Sequence, residues 1–470
     1  MKEQILDVLA DRYASTPMVA IWSPTGKVRK ERELWVAVLK AQQELGLPIP
    51  SEAILAYELA IGDIDLNSIK KREAITRHDV KARIEEFNAL SGYELIHQGF
   101  TSRDITDPVE QLQIFESMQL VRDRTVALLN RLAIKAAEYS ALDICGRSHN
   151  VPGQTTTLGK RFSNCAEEII NAFNSLEGLI QNYQFRGVKG AMGTQQDMAD
   201  LLGDNNKVFP MESKIKNHLG LPHVLTSVGQ VYPRSMDFEV LALLAQLASG
   251  PGNLAKSIRL MAGHGLLHEG FGKDQSGSTA MPHKVNSRTC ERINSLGNVL
   301  GGFLDMTKGL LGDQWLEGDV SCSVVHRVAL PGAFFAIDGI LESTMTVLDE
   351  MQIFPGMIKR ELEYYLPFLS TTRILVALVK HGVGRETAHT LIKKHAMESM
   401  DEIRNGGNNT FLNRLLGDPS FPLSRDELSV LTSTPNHGLA EIQVRSVCGD
   451  IEGIVNLYPE AANYNPEPIR

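Results

Sequence analysis

VEQLQIFESMQLVRDRTVALLNRLAIKAAEYSALDIC, residues 109–145, is the clearest of several long stretches that contain neither Gly nor Pro. Its apolar side chains recur at spacings near three and four, which places them on one face of an α-helix: Leu112, Phe115, Met118, Val121, Leu128 and Leu132. At 1.5 Å per residue, an unbroken helix over this segment would be roughly 50 Å long. Helices of that length are typical of helix bundles, so the segment predicts an all-α fold.

The remaining sequence supports the same fold class. Few segments alternate strictly between apolar and polar residues, and neither a strand–helix repeat nor an internal repeat is evident. Five further helices are predicted, over residues 27–45, 161–176, 235–249, 340–354 and 385–405. We predict three helical domains: a small N-terminal domain over 1–107, a central long-helix bundle over 108–355 and a C-terminal domain over 356–470.

The composition excludes several classes of protein. The 470 residues include 47 basic and 56 acidic ones, a net charge of −9, so no global basic surface is available for nucleic acid. No apolar run approaches membrane-spanning length, and MKEQILDVLADRYAS at the N-terminus lacks the apolar core of a signal peptide. The five cysteines are far apart, as expected of free and mostly buried thiols in a reducing compartment: Cys145, Cys165, Cys290, Cys322 and Cys448. We expect a soluble, cytoplasmic protein that binds neither nucleic acid nor membrane.

A second informative stretch is SGSTAMPHKVNSRTCE, residues 276–291. Small residues leave the backbone N–H groups near its start uncovered, Lys284 adds a cation, and Asn286 and Ser287 are good N-caps for a following helix. Hydroxyls, N–H groups, a cation and a positive helix end together can hold a carboxylate or the oxyanion of a carbanion intermediate. The plainer interpretation is an ordinary turn before a helix.

The order G-S-S/T-x-M-P-x-K-x-N over residues 277–286 resembles the signature loop of the fumarase/aspartase superfamily, and His283 before Lys284 resembles its adenylosuccinate lyase branch. Further motifs similar to that branch follow its order along nearly the whole chain. They are Arg12-Tyr13 with Met18-Val19-Ala20-Ile21-Trp22, Arg77-His78-Asp79-Val80, Thr101-Ser102-Arg103-Asp104, Gly146-Arg147-Ser148-His149, Thr156-Thr157-Leu158-Gly159-Lys160 and Gln230-Val231-Tyr232-Pro233-Arg234.

The resemblance implies a C–N lyase of purine nucleotide biosynthesis. Such an enzyme eliminates fumarate from adenylosuccinate, giving AMP, and from succinylated aminoimidazole carboxamide ribotide (SAICAR), giving the free carboxamide ribotide (AICAR). It also implies that the enzyme needs neither a metal nor an organic cofactor. It further implies a homotetramer whose central helices pack together, with each active site built from three subunits.

Elimination of fumarate requires a base, an oxyanion cradle and an acid around one bond. By resemblance, Ser278 is the base, activated by loop N–H groups and Lys284, and His149 is the acid that protonates the departing nitrogen. Glu291, about two helical turns beyond Lys284, could orient His149. His78 is expected close to the substrate, where it assists the acid or contacts phosphate. An open alternative makes Ser278 a substrate-binding hydroxyl while another group takes the proton.

The resemblance also implies residues that bind the substrate. Lys284 and Asn286 are expected to hold the succinyl carboxylates, and the other candidates supply hydroxyls, amides and cations for the carboxylates, the phosphate or the nucleotide. These are Arg12, Tyr13, Arg77, His78, Asp79, Thr101, Ser102, Gln230, Arg234, Thr279, Ser323 and Arg327.

Some positions depart from the pattern of the family. Gly318 stands where many relatives carry Arg, so a guanidinium for phosphate must come from elsewhere, for example from Arg103. His326 replaces a usual Glu. Two alternatives to the lyase are a relative of the carboxymuconate cycloisomerases and an inactive structural homologue. The motifs near Tyr13 and His78 argue against the first, and the intact set of Ser278, His149, Lys284 and Glu291 argues against the second.

Overall fold

A computed structural model describes residues 6–271, 281 and 283–468 of the chain. Twenty α-helices lie in these residues: α1 (Val8–Arg12), α2 (Thr16–Trp22), α3 (Pro24–Glu44), α4 (Ser51–Leu59), α5 (Leu66–Thr76), α6 (Asp79–Ser91), α7 (Arg103–Glu138), α8 (Leu158–Asn182), α9 (Gln196–Leu202), α10 (Val208–His218), α11 (Ser235–Gly263), α12 (Arg288–Lys308), α13 (Ser323–Glu350), α14 (Pro355–Leu369), α15 (Thr371–Lys380), α16 (Arg385–Arg404), α17 (Phe411–Gly417), α18 (Arg425–Thr432), α19 (Ala440–Leu457) and α20 (Pro459–Ala462). The predicted all-α class is confirmed.

Residues 109–138 of the predicted helical segment 109–145 lie in α7, which has 36 residues and ends at Glu138. The prediction is wrong for residues 143–145, which belong to the strand Asp143–Ser148. The predicted apolar stripe of α7 is buried, with Met118, Val121, Leu128 and Leu132 at 0% exposure. The helix begins before Pro108, because one lost hydrogen bond does not end a helix whose flanking side chains are buried on both sides of the proline. The other predicted helices fall on α3, α8, α11, the second half of α13, and α16, although α8 and α11 extend further than predicted. The helix predicted over 340–354 ends at Glu350, and Gln352–Ile353 is a strand.

The strands in the described residues are short and form three two-stranded sheets. They are β1 (Asp143–Ser148), β2 (Val151–Thr157), β3 (Gln184–Phe185), β4 (His223–Val224), β5 (Leu267–His268) and β6 (Gln352–Ile353). The antiparallel hairpin β1–β2 is the longest of them, and its two-residue loop is His149-Asn150. This hairpin was not predicted from the sequence.

The five long helices α7, α8, α11, α12 and α13 pack against one another as the central bundle. Its core extends to helices near both ends of the chain, from Leu9 to Ala462. A second, smaller core lies around Phe411, between α15 and α18. The domain boundaries at 107 and 355 stay predictions; the first falls inside α7 and the second at the start of α14.

The cysteines among the described residues are free, and four of the five are buried, as predicted. Two helical stretches in the described part of the chain have the length and apolar composition of a membrane span, Ser323–Glu350 and Pro355–Lys380. The apolar window of the first is 72% buried, as in the core helix of a bundle, and that of the second is 28% buried. One or two such helices are weak grounds for a membrane protein, because core helices share these properties.

Candidate active site

Three of the predicted site residues meet at the N-terminal ends of α6 and α7. His78 is the N-cap of α6, where its Nδ1 accepts a hydrogen bond from the backbone N–H of Lys81 at 3.3 Å. Its Nε2 lies 3.4 Å from the hydroxyl of Ser102, which directly precedes α7. The hydroxyl of Thr101 is buried without a hydrogen-bond partner among the described residues. The imidazole and two hydroxyls therefore share one small region, and one hydroxyl is available to a ligand.

A buried carboxylate fixes the shape of this region. Asp104 accepts hydrogen bonds from the backbone N–H of Thr101 at 2.8 Å and from those of Lys189 and Gly190 at 3.0 Å. It also pairs with the guanidinium of Arg186 at 2.8 Å, and neither side chain is exposed. Because buried charges are stable only when they are paired and fully hydrogen-bonded, this network holds the loop before α7 in one position.

Arg103 joins the start of α7 to the loop that precedes α13. Its Nη1 is 2.8 Å from Asp107, and its Nη2 donates to the carbonyl of Asp319 at 3.3 Å and to the hydroxyl of Ser323 at 3.4 Å. Gly318 lies immediately before Asp319 with φ +147°. The guanidinium of Arg103 is therefore next to the position where the sequence lacks an arginine. It is also next to Ser323, a predicted phosphate ligand.

Gln230 and Arg234 differ in accessibility. The backbone N–H of Gln230 donates to the carbonyl of Glu317 at 2.6 Å, and its side chain donates to the carbonyl of Ala191 at 3.4 Å. Arg234 is only 4% exposed, and its guanidinium is 2.8 Å from Asp107. Arg234 is thus buried, whereas Gln230 is half-buried.

His326 carries a buried positive charge below the same region. Its Nε2 is 2.8 Å from Asp237 and its Nδ1 is 3.1 Å from Glu110. Burial alone would lower the pKa of His326, but the hydrogen bonds to the two carboxylates outweigh it and raise that pKa to about 9. The imidazolium therefore ties α13 to α7 and α11 and offsets the charge of two buried carboxylates.

Arg12 and Tyr13 line a cavity of about 580 Å³ near the N-terminus. The cavity also contains the side chains of Glu342 and Glu467. Burial, and then the nearby carboxyl of Asp338, raise the pKa of Glu342 to about 7. Within this chain, Arg12 and Tyr13, the predicted phosphate-binding residues, thus line a cavity that also has acidic residues in its wall.

His149 lies on the exposed tip of the β1–β2 hairpin. His149 has φ 52° and Asn150 has φ 60°, so both loop residues are left-handed, as a type I′ turn requires. Arg147 spans the turn, because its Nη1 donates to the carbonyl of Asn150 at 2.9 Å. No hydrogen bond or ion pair joins His149 to another predicted site residue within the described part of this chain.

The last residues of the signature loop lead directly into α12, which begins after its N-cap Ser287, as predicted. Lys284 is exposed and Asn286 is half-buried. Glu291 is exposed, with its carboxylate 4.0 Å from Arg259. Ser278 and Thr279 lie outside the described residues.

Three further candidates are Arg77 and Asp79, which flank His78 in the sequence, and Arg327 on α13. Arg77 is the left-handed C-cap of α5, directly before His78, and its side chain is exposed. Asp79 pairs with Arg83 at 3.1 Å, and Arg327 is exposed one turn into α13. The structure thus brings together His78, Thr101 and Ser102, links Ser323 to them through Arg103, and places Gln230 beside Gly318. Arg12, His149 and Glu291 lie on other elements of the same chain.

Sequence reasoning did not single out His97. This residue has φ 67°, and its Nδ1 accepts a hydrogen bond from the indole of Trp35 at 3.2 Å. Burial lowers its pKa to about 4, so it is a neutral imidazole beside the loop that carries Thr101. Its position four residues before Thr101 is the only signal that the sequence contained.

Family models match two parts of the chain. Residues 16–301 match a lyase family, and residues 367–446 match the family described as adenylosuccinate lyase C-terminus. Among solved structures, a 3-carboxy-cis,cis-muconate lactonizing enzyme from Pseudomonas putida has a TM-score of 0.81 at 18% identity, covering 95% of this chain and 99% of its own. A fumarate lyase from Mesorhizobium sp. BNC1 has a TM-score of 0.79 at 20% identity, covering 93% and 98%. At these identities the likeness shows a shared fold.

Similarity in sequence is more specific. The chain is 33% identical to adenylosuccinate lyase of Saccharomyces cerevisiae over 432 residues, which cover 90% of this chain and 89% of the relative. It is 32% identical to that of Schizosaccharomyces pombe, covering 93% and 92%, and 31% identical to that of Schistosoma mansoni, covering 89% and 88%. These matches confirm the resemblance seen in the motifs, and the chain belongs to the adenylosuccinate lyase family.

Proposed function

We propose that this protein is a C–N lyase that eliminates fumarate from adenylosuccinate, giving AMP, and from SAICAR, giving AICAR. The observation that carries the proposal is the meeting of His78, Thr101 and Ser102 at the N-terminal end of α7. Ser323 is joined to this end through Arg103, and Gln230 lies beside Gly318. Their imidazole, hydroxyl and amide groups, with the guanidinium of Arg103 between them, suit an anionic and hydroxyl-rich ligand such as a nucleotide.

In the proposed reaction Ser278 removes a proton from the carbon next to a succinyl carboxylate. The electron pair of that C–H bond moves onto the carboxylate, and Lys284, Asn286 and Thr279 stabilise the doubly charged intermediate. The C–N bond then breaks as the C=C bond of fumarate forms. His149 gives its proton to the departing nitrogen, and Glu291 holds the imidazole in the orientation that this transfer needs.

The nucleotide phosphate is proposed to bind through Arg12, Tyr13, Ser323 and Arg327. Arg103 supplies a guanidinium beside Gly318, and its side chain remains 15% exposed although it pairs with Asp107. Arg77, Asp79, Gln230 and Arg234 complete the proposed binding set. Because Arg234 is buried and bound to Asp107, we assign it the task of holding the N-terminal turn of α7 in place.

The active enzyme is proposed to be a cytoplasmic homotetramer with shared sites. Within one chain, His149 is on a hairpin tip, Glu291 is beside Arg259, and Arg12 lines a separate cavity. We propose that a site that uses all three takes them from different copies. Closed symmetric assemblies offer such sites because each interface is repeated in every copy.

A comparison of two substrates tests this proposal. The fold is shared with a muconate lactonizing enzyme, so a cycloisomerase is the second candidate. Purified protein should release fumarate and AMP in equal amounts from adenylosuccinate and leave 3-carboxymuconate unchanged, as followed by ultraviolet absorbance. Turnover of carboxymuconate alone would favour the cycloisomerase, and turnover of neither substrate would favour an inactive homologue.

A further inference from the structure

The turn that carries His149 contains two adjacent left-handed residues, neither of which is Gly. His149 has φ 52° and Asn150 has φ 60°. Left-handed backbone costs an L-residue on the order of 1 kcal/mol, so such a turn persists only when its surroundings hold it. The exposed tip of the hairpin offers little packing of its own, since Ser148, His149, Asn150 and Val151 are all exposed.

Arg147 is the side chain that spans this turn. Its Nη1 donates to the carbonyl of Asn150 at 2.9 Å, which links the residues on either side of His149. The side chain of Arg147 is only 13% exposed, so its charge needs a partner. The pairing register of β1 with β2 shifts between Gly146 and Arg147, so an irregularity of the bulge type lies next to Arg147.

The partner of Arg147 is Glu361, which is on α14 in the C-terminal part of the chain. The carboxylate of Glu361 pairs with Nη2 of Arg147 and is 12% exposed. Tyr365, one turn further along α14, has its ring centroid 5.8 Å from the same guanidinium. Apolar contacts between Cys145 on β1 and Leu362 on α14 support this docking. The hairpin is therefore fixed to α14 by one largely buried ion pair and the contacts around it.

We propose that Glu361 is a positioning residue for the acid of the elimination: it holds Arg147, and Arg147 holds the turn that aims His149. This inference rests on the proposed function, in which His149 protonates the leaving nitrogen. Glu361 touches no reacting atom in this account. Its contribution is to keep the imidazole within the narrow range of positions from which proton transfer is fast.

The test replaces Glu361 without changing its size. Glu361→Gln removes the charge that orients Arg147, so kcat for adenylosuccinate should fall about ten-fold while KM changes by less than about two-fold, because acid placement affects the transition state more than substrate binding. Glu363→Gln is the matched control. It makes the same change on the same helix, but Glu363 is 65% exposed, and its ion pair within the described residues is with Lys359, one turn away. Its kcat should equal that of the wild type.

Hydrogen exchange of a peptide covering residues 146–157 gives a readout that does not depend on activity. Exchange should be faster in Glu361→Gln than in the wild type or Glu363→Gln. Unchanged kcat, unchanged exchange, or a loss of thermal stability with normal kcat per folded enzyme would each overturn the proposal. If the wild type released no fumarate, the proposed function would fail by itself, and exchange would still decide whether Glu361 holds the turn.

A second variant covers the case in which Glu361→Gln does not fold. Arg147→Lys keeps the positive charge, but an ammonium group cannot bridge the carboxylate of Glu361 and the carbonyl of Asn150 as a guanidinium does. It should show the same fall in kcat with little change in KM. Normal kcat in this variant would contradict the link between the ion pair and His149.

Discussion

Ser278 is the side chain on which the proposed chemistry depends most. Ser278→Ala removes the proposed base and should lower kcat about 10²- to 10⁴-fold, the range typical of general bases. The measurement is fumarate release, with light scattering to verify assembly. Ser295→Ala serves as the control, because that exposed hydroxyl only donates to the carbonyl of Glu291 on the same helix. A Ser278→Ala variant with normal turnover would support the alternative in which this hydroxyl only binds substrate.

His149 provides a second, independent prediction. His149→Gln keeps a polar side chain on the turn but cannot deliver a proton, so kcat should fall about 10²- to 10⁴-fold. His389→Gln, an exposed imidazole on α16, is the matched control and should be fully active. If both variants turned over adenylosuccinate at the same rate, the acid would have to be another group.

His326 should make stability depend on pH. In the folded protein its pKa is about 9, compared with an ordinary value of 6.5, so the proton is held more tightly in the folded state. Its contribution to stability is therefore complete below about pH 6.5, declines as the pH rises, and is lost above about pH 9. His326→Gln should lower the thermal midpoint far more at pH 6 than at pH 9.5. The corresponding difference in the free energy of unfolding is a few kcal/mol, since one pKa unit is worth about 1.4 kcal/mol. An equal loss at both pH values would contradict the buried imidazolium.

Sequence reasoning found many of these side chains but not their surroundings. The order of motifs singled out His78, Thr101, Ser102 and Gln230, because their residue types and positions in the chain follow a pattern. Three partners of Asp104, by contrast, come from segments 82 to 86 residues away, and nothing local indicates them: Arg186, Lys189 and Gly190. Buried ion pairs of this kind form only in the folded chain, so short sequence motifs do not predict them.

Among the helices, α7 is the element on which the bundle depends. Leu128 in its middle is 0% exposed. Leu128→Ala should lower the free energy of unfolding by about 2–5 kcal/mol, the usual cost of removing a buried leucine and leaving a cavity. Ile134→Ala on the same helix is the matched control, because Ile134 is 58% exposed and its removal should cost much less. Denaturant unfolding of both variants checks the prediction, and equal losses would show that Leu128 is not in a close-packed core.

Two kinds of secondary-structure feature were not predicted correctly from the sequence: the β1–β2 hairpin and the helix ends near prolines. Helical periodicity located α7 because a stripe of apolar residues continues for many turns. Periodicity could not locate β1 and β2, since their 6 and 7 residues do not alternate clearly and the left-handed turn between them is formed by His and Asn instead of Gly. Pro108, Pro251 and Pro331 all lie inside helices that packing maintains. The predicted helices therefore began too late after Pro108 and Pro331, and the one before Pro251 ended too early.

For the molecule as a whole, the proposed catalytic groups lie on several different elements of one chain. His78 and Ser102 meet at the start of α7, and His149 is at the tip of a hairpin that packs on α14. Glu291, proposed to orient His149, lies near Arg259. The fold class followed from composition and periodicity, because a long bundle buries its helices by the same rule throughout. How copies meet depends on surface shape, which no periodic pattern in the sequence encodes.

The most direct test of the account is therefore a mixing experiment between two inactive variants. His149→Gln and Ser278→Ala are combined, dissociated, reassembled and assayed for fumarate release from adenylosuccinate. If different copies supply the imidazole and the hydroxyl, the mixture should recover about a quarter of wild-type activity, because random mixing leaves roughly that share of sites with both groups intact. A mixture as inactive as its two components would contradict a site shared between chains.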